Sequence, residues 1–376
     1  MHSAGIYIHI PFCNIKCIYS DFYSVTDQEK KIPKFISAIK SEIESFSNDT
    51  SNWTFDTIFI GGGTPSLLNT SSIELIINSL EKILNINAIK EFTIEVNPGE
   101  TSLAKLKEYN SLGINRLSIG VQSLNTRHLK FLGKYHRPKQ SLETIKNAQN
   151  AGFENINCDL MYLIPGQDFD DWFTDLKTLT QLGPDHISAY TLTLEKGTEL
   201  FKKVKNKLVE MPKKNKSAKW FKKTQAILSE FGYRQYEISN FTLSRKKCLH
   251  SLHYWKIDPY VGFGPSSNSF NGVKRWSNIR NLDEYIKRIE SKKSPVSFEE
   301  FLTENNLFNE KIGFGLRMNS GVNLGNLPKN LMRDFKKQLK STSVKWPKCI
   351  KIKKNQLFLT EKGLQFSDII TSELMI

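Results

Sequence analysis

Cys13 and Cys17 stand four positions apart in a short polar loop that follows the apolar run 6–12. A third cysteine at position 20 would complete C-x3-C-x2-C, a spacing with which three thiolates grip one face of an iron–sulfur cluster. The chain has Ser20 there. A serine hydroxyl is a far weaker acid than a thiol and ordinarily keeps its proton, so it is a poor iron ligand. Asp21 next door is the one nearby oxygen that would substitute. A second cluster of chemistry is Gly61-Gly62-Gly63-Thr64-Pro65-Ser66. Glycine has no Cβ, so such a loop offers bare backbone to a ligand that must come close, the amino-acid end of a cofactor being the best candidate. Glu95, between apolar Ile94 and Val96, is expected to point inward, where it would accept bonds from ribose hydroxyls. Gln122, Asp159 and the Pro165-Gly166-Gln167 turn complete the set.

These residues need a scaffold, and the periodicity supplies one. Apolar runs at 6–10, 57–60, 91–96, 116–121, 155–162 and 186–192 predict strands. Helical patterns near 32–47, 71–85, 101–112, 138–151 and 170–182 lie between them, each starting near a cap or turn signal. Strand–helix–strand repeated about six times predicts an α/β fold with a parallel sheet and right-handed crossovers. Six units are too few for a complete eight-fold barrel, which leaves a partial barrel or an open sheet. Ligands meet such sheets at the carboxyl ends of the strands, and that rim is where the unusual residues collect. Strand alternation sends Asp159 and Cys158 to opposite faces. With Asp159 in the site, Cys158 is a small buried hydrophobe, not a missing third ligand.

At 376 residues the chain buries a large core and divides into about two domains. No apolar run reaches the length of a membrane span, and the N-terminal run lacks the basic leader and cleavage site of a signal peptide. The expected location is therefore cytoplasmic. Five cysteines, an odd number, do not form a disulfide framework. The net charge of +15 is concentrated: residues 202–223 hold ten lysines against Glu210 alone, and residues 329–354 hold ten Lys/Arg against Asp334 alone. Lysine without interleaved arginine and aromatics reads as a solvated surface, so no nucleic-acid partner is expected.

Taken together, Tyr7-Ile-His-Ile-Pro-Phe-Cys13, the Gly-Gly-Gly-Thr-Pro-Ser loop, Glu95-Val-Asn-Pro, Ile114-Asn-Arg-Leu-Ser-Ile-Gly-Val-Gln122, Asp159-Leu-Met-Tyr-Leu-Ile-Pro-Gly-Gln and His186-Ile-Ser-Ala-Tyr190 resemble, in that order, the radical S-adenosylmethionine proteins of the coproporphyrinogen-oxidase-like group. The later Tyr236-Glu-Ile-Ser-Asn240, Gly262-Phe-Gly264-Pro and Gly315-Leu-Arg317 extend the resemblance over nearly the whole chain. It implies a partial (β/α)6 barrel over 1–200, a linking and heme-motif region over 201–299, and a small α+β, winged-helix-like unit over 300–376. It further implies a 4Fe-4S cluster with Cys13 and Cys17 as ligands, and S-adenosylmethionine contacted by Tyr7, Gly62, Gly63, Thr64, Glu95, Gln122, Arg137 and Asp159.

Two branches of the group are open. The oxidase branch has a longer N-terminal extension and a further cysteine two residues after the third; Phe22 occupies that place here. The heme-chaperone branch carries His-Asn-x-x-Tyr-Trp, and this chain reads His250-Ser251-Leu-His253-Tyr254-Trp255. His250 is the candidate axial ligand to heme iron, against the plainer reading of an aromatic cluster joining two domains. The resemblance thus implies a protein that binds heme and passes it to an acceptor protein, a membrane-associated one among the candidates, with a cluster site impaired by Ser20. The alternative is an enzyme like the oxygen-independent coproporphyrinogen III oxidase, which Ser20 and Phe22 argue against. Oligomeric state stays open.

Overall fold

The structure, a computed structural model, describes residues 2–47, 50–243 and 245–376. Six parallel strands and their helices come first: β1 (His2–Ile10), α1 (Ile32–Glu44), β2 (Trp53–Gly62), α2 (Thr70–Ile83), β3 (Glu91–Val96), α3 (Leu103–Ser111), β4 (Arg116–Gln122), α4 (Thr126–Phe131), α5 (Pro138–Asn150), β5 (Ile156–Tyr162), α6 (Phe169–Leu182) and β6 (His186–Thr191). The helices begin where short polar side chains accept from free N–H groups: Asn69 before α2, Ser102 before α3 and Asp168 before α6. The outward faces of the strands and the inward faces of the helices share one apolar core, in which Ile6, Ile8, Ile58, Ile60, Ile94, Ile119, Cys158 and Leu160 are buried. The predicted partial barrel is present.

The chain then continues through α7 (Glu199–Lys205), α8 (Lys214–Glu230), β7 (Arg234–Gln235), β8 (Asn240–Thr242), α9 (Leu249–Lys256), β9 (Tyr260–Phe263), β10 (Asn268–Phe270), β11 (Lys274–Asn278), α10 (Leu282–Glu290) and β12 (Val296–Phe301). These strands join the same sheet rather than forming another. Its order is β12-β11-β10-β9-β1-β2-β3-β4-β5-β6-β8-β7. β1 is therefore interior, parallel to β2 on one side and to β9 on the other.

A second core lies in α11 (Glu304–Gly315), β13 (Val322–Asn323), α12 (Met332–Lys345), β14 (Ile350–Lys353), β15 (Gln356–Leu359), α13 (Glu361–Leu364) and α14 (Ser367–Leu374). Its three strands pair antiparallel in the order β13-β15-β14. Phe308, Ile312, Phe335, Leu357 and Ile370 are buried there, and Phe221 of α8 packs against them. No helix of the described residues is long and apolar enough to cross a membrane.

Candidate cofactor site at the strand ends

The loop after β1 is tied down at several points. The Cys13 N–H donates to Val25 O (2.9 Å) and the Val25 N–H to Pro11 O (2.8 Å). The glycine loop after β2 docks on it, with Gly63 N–H donating to Ile10 O and Thr64 N–H to Phe12 O, both at 2.7 Å. A Cβ on Gly63 would lie 2.6 Å from Phe12 O, so only glycine permits this approach. Gly62 has φ +117°, a conformation open mainly to glycine, and its N–H donates to Glu95 Oε2 at 3.0 Å. The loop therefore differs from expectation in one respect: the N–H groups of Gly62, Gly63 and Thr64 are bonded within the protein, which leaves carbonyls and side chains to face a ligand.

Cys13 Sγ lies 3.0 Å from Thr64 Oγ1, which accepts from Asn97 Nδ2 at 3.1 Å. Burial pushes the Cys13 thiol above its ordinary value, against the Thr64 contact. Cys17 is half-buried. The loop is pinned just beyond it by Leu200 N–H donating to Ile18 O (2.8 Å). Ser20 Oγ accepts from the Phe22 N–H at 3.3 Å. Asp21, the substitute oxygen donor, is engaged by Arg280 in an ion pair of 3.0 Å.

Glu95 and Asp159 project from β3 and β5 into the barrel. Burial, then the neighbouring Asp159 carboxylate, pushes Glu95 up to about 8. Asp159 is raised by burial although Asn157 Nδ2 (2.8 Å) and Ser118 Oγ (3.4 Å) donate to it. On β1, His9 Nε2 sits 2.9 Å from Tyr23 O, so this nitrogen carries the proton. His9 Nδ1 is then the acceptor, and Tyr7 OH donates to it at 3.1 Å. Gln122 ends β4 in the left-handed region at φ +62° and is buried. Arg137 also belongs to this rim, at the start of α5, but is exposed and makes no ion pair among the described residues.

Thus Tyr7, Gly62, Gly63, Thr64, Glu95, Gln122, Asp159 and the cysteine loop meet at one end of the strands, with Arg137 at the solvent edge. His250 lies beneath them, its ring stacked on Tyr7 with centroids 6.4 Å apart. It is 2 % exposed; its Nδ1 pairs with Thr57 Oγ1 and its Nε2 with Tyr254 OH, each at 2.9 Å. Burial depresses its pKa to about 3, so the ring is neutral. Neither nitrogen is free to bind iron in this arrangement. α9 closes the barrel floor instead, its first N–H groups at Leu249 and His250 donating to Glu91 at 2.8 and 2.9 Å. Two residues escaped the sequence reading. Lys134 lies close enough to favour ionisation of both Cys13 and Glu95, yet no pattern marks it. Arg116, buried near Glu91 and Asp159, had a signal in its charge within an otherwise apolar run.

A six-stranded partial barrel with a cysteine loop after its first strand and a glycine loop after its second defines the radical S-adenosylmethionine class, and residues 7–179 match the Radical SAM superfamily. The chain is 30% identical over 372 residues to a protein of Lactococcus lactis named Heme chaperone HemW, covering 98% of this chain and 97% of that one. It is 32% identical to Heme chaperone HemW of Bacillus subtilis over 84% of both chains. It is 33% identical to the zebrafish "Radical S-adenosyl methionine domain-containing protein 1, mitochondrial", over 85% of this chain and 74% of that protein. The chain belongs to this HemW family. In fold it resembles the radical SAM coproporphyrinogen III oxidase HemN of Escherichia coli, with a TM-score of 0.85 and 20% identity over 100% of this chain and 90% of that one.

The superfamily implies S-adenosylmethionine and a 4Fe-4S cluster. The strand-end residues fit the organic cofactor: two buried carboxyls, both raised by burial, stand beside a close-packed glycine loop. The cluster donors fit only in part. They are two thiols and a hydroxyl, and among the described residues no three or more His, Cys, Asp or Glu side chains are grouped to hold a metal ion.

Proposed function

We propose that the protein is a heme chaperone: it binds heme and delivers it to an acceptor protein, acting in the cytoplasm. The observation that carries this reading is the similarity to proteins named heme chaperones along essentially the full length of the chain. Tyr7, Gly62, Gly63, Thr64, Glu95, Gln122, Arg137 and Asp159 hold S-adenosylmethionine at the strand ends, and Cys13 and Cys17 are the protein's two thiolates for a 4Fe-4S cluster. When bound and reduced, that pair of groups supplies radical chemistry. Here the chain itself contributes an incomplete ligand set, so on this reading the cluster is weakly held and an oxidase activity is disfavoured. Micromolar heme is expected to shift the Soret band on titration; an unshifted band would defeat the chaperone reading. His250, locked in the floor, supports heme binding only by keeping the barrel closed. His250→Ala is expected to lower Tm with heme affinity kept, whereas loss of binding in a folded variant would restore it as an iron ligand. Anaerobic reconstitution with iron and sulfide is expected to load Ser20→Cys stably and the unchanged chain poorly. Equal, stable four-iron loading of both would overturn the impaired site.

A further inference from the structure

Both sheets end in an open edge. β12 closes the twelve-stranded sheet, with β11 on one side and no strand on the other among the described residues, and β14 ends the three-stranded sheet in the same way. Such edges present unpaired N–H and C=O groups and serve as templates for another strand. β12 reads Val-Ser-Phe-Glu-Glu-Phe, with Phe298 51% and Phe301 72% exposed. β14 reads Ile-Lys-Ile-Lys, with Ile352 51% exposed. Glu299 is paired with Lys274 at 2.6 Å. Glu300, Lys351 and Lys353 are exposed and make no ion pair among the described residues. Neither edge suits itself. Two antiparallel copies of β12 that bring Phe298 opposite Phe301 set Glu299 opposite Glu300, and in full overlap Phe298 meets Glu299 instead. Two copies of β14 set lysine opposite lysine or, one residue out of step, lysine opposite isoleucine. Like charges directly opposite destabilise a strand pair.

We propose that β12 of one molecule pairs with β14 of a second copy of this chain, each extending the other's sheet. In one antiparallel register Phe301 lies opposite Ile350, Glu300 opposite Lys351 and Phe298 opposite Lys353. That gives an apolar pair, an ion pair and a cation against an aromatic ring. Main-chain hydrogen bonds supply the affinity that any added strand would gain, and the opposite charges select this one. The contact joins different surfaces of the two copies, so a pair keeps one free edge of each kind and either closes into a ring or extends.

The test is sedimentation velocity of the full chain at low salt, from micromolar to hundreds of micromolar. The parent is expected to pass from monomer to larger species as its concentration rises. Glu300→Lys and Lys351→Glu should each raise the concentration for half-association by about tenfold, because an attraction becomes a repulsion. Both positions are exposed, so each variant should keep the parent's Tm. An equimolar mixture of the two variants restores an opposite-charge pair at both contacts between unlike chains, and association should return to near the parent's. That recovery also shows that both variants fold. A parent that stays monomeric at every concentration would leave the edges to another protein's strand or to water, and would overturn the proposal. Association that neither reversal weakens, or folded variants that do not recover on mixing, would overturn it as well. No heme or cofactor takes part, so the result is independent of the heme titration.

Discussion

At the residue scale, Glu95 shows how position sets chemistry. In water a glutamate is ionised at neutral pH; at the end of β3, buried beside Asp159, it holds its proton up to about 8. A carboxyl raised in the folded state favours folding when protonated, so its contribution is fully present below the unfolded value near 4.5 and is lost as pH rises to about 8. Glu95→Gln removes the ionisation while keeping an oxygen to accept from Gly62. Thermal unfolding should find the variant little changed at pH 5 and more stable than the parent by roughly 1–3 kcal/mol at pH 8. A constant difference across that range would show that the carboxyl titrates normally. The sequence made Glu95 visible through its apolar neighbours. It did not make Lys134 visible, because that side chain reaches Glu95 only by way of the turn between α4 and α5.

At the element scale, α9 is the piece whose role the sequence left divided between heme ligand and structural plug. Its motif is aromatic and histidine-rich on either reading, and only the contacts separate them. A Cβ on Gly5 would lie 3.0 Å from the His250 ring, so β1 is thinned where the helix enters. Further along α9, His253 stands between Asp56 (2.8 Å) and Asp258 (3.2 Å). Glu91 caps the helix from another element altogether, a contact no local pattern announces. Glu91→Ala would strand two N–H groups and deprive buried Arg116 of a neighbouring anion. A loss of about 3–5 kcal/mol in denaturant unfolding is expected; a loss below about 1 kcal/mol would mean that the floor is held by packing alone. The six barrel strands, by contrast, were legible because each is an apolar run between turn signals. Strands of two to four residues such as β7, β8 and β10 carry no periodicity of their own and exist only as additions to a sheet already formed.

At the scale of the whole molecule, charge and architecture coincide. One lysine-rich segment spans α7 and most of α8, the other α12 and β14, and Phe221 of α8 packs against the core that contains α12. The excess positive charge thus lies on elements of, or packed against, the C-terminal core. Heme carries two propionates, so its association rate should fall as salt is raised. Stopped-flow mixing at low and high ionic strength measures this; a salt-independent rate would place heme entry away from the lysines. Net charge was countable from sequence, whereas which elements meet the C-terminal core depended on side chains such as Phe221 and Ile238 that pack against it from outside.

The position of β1 has a consequence for how the protein is made. Its N-terminal strand takes β2 on one side within the first sixty or so residues, but its other partner, β9, begins only at Tyr260. At about 5–20 residues per second, a ribosome needs on the order of 12 to 50 seconds to produce that partner after β1 has emerged. For that interval the nascent barrel presents an unpaired apolar edge. Its natural remedies are a holding factor or rapid elongation, and a transcript stalled midway would leave a fragment primed to aggregate.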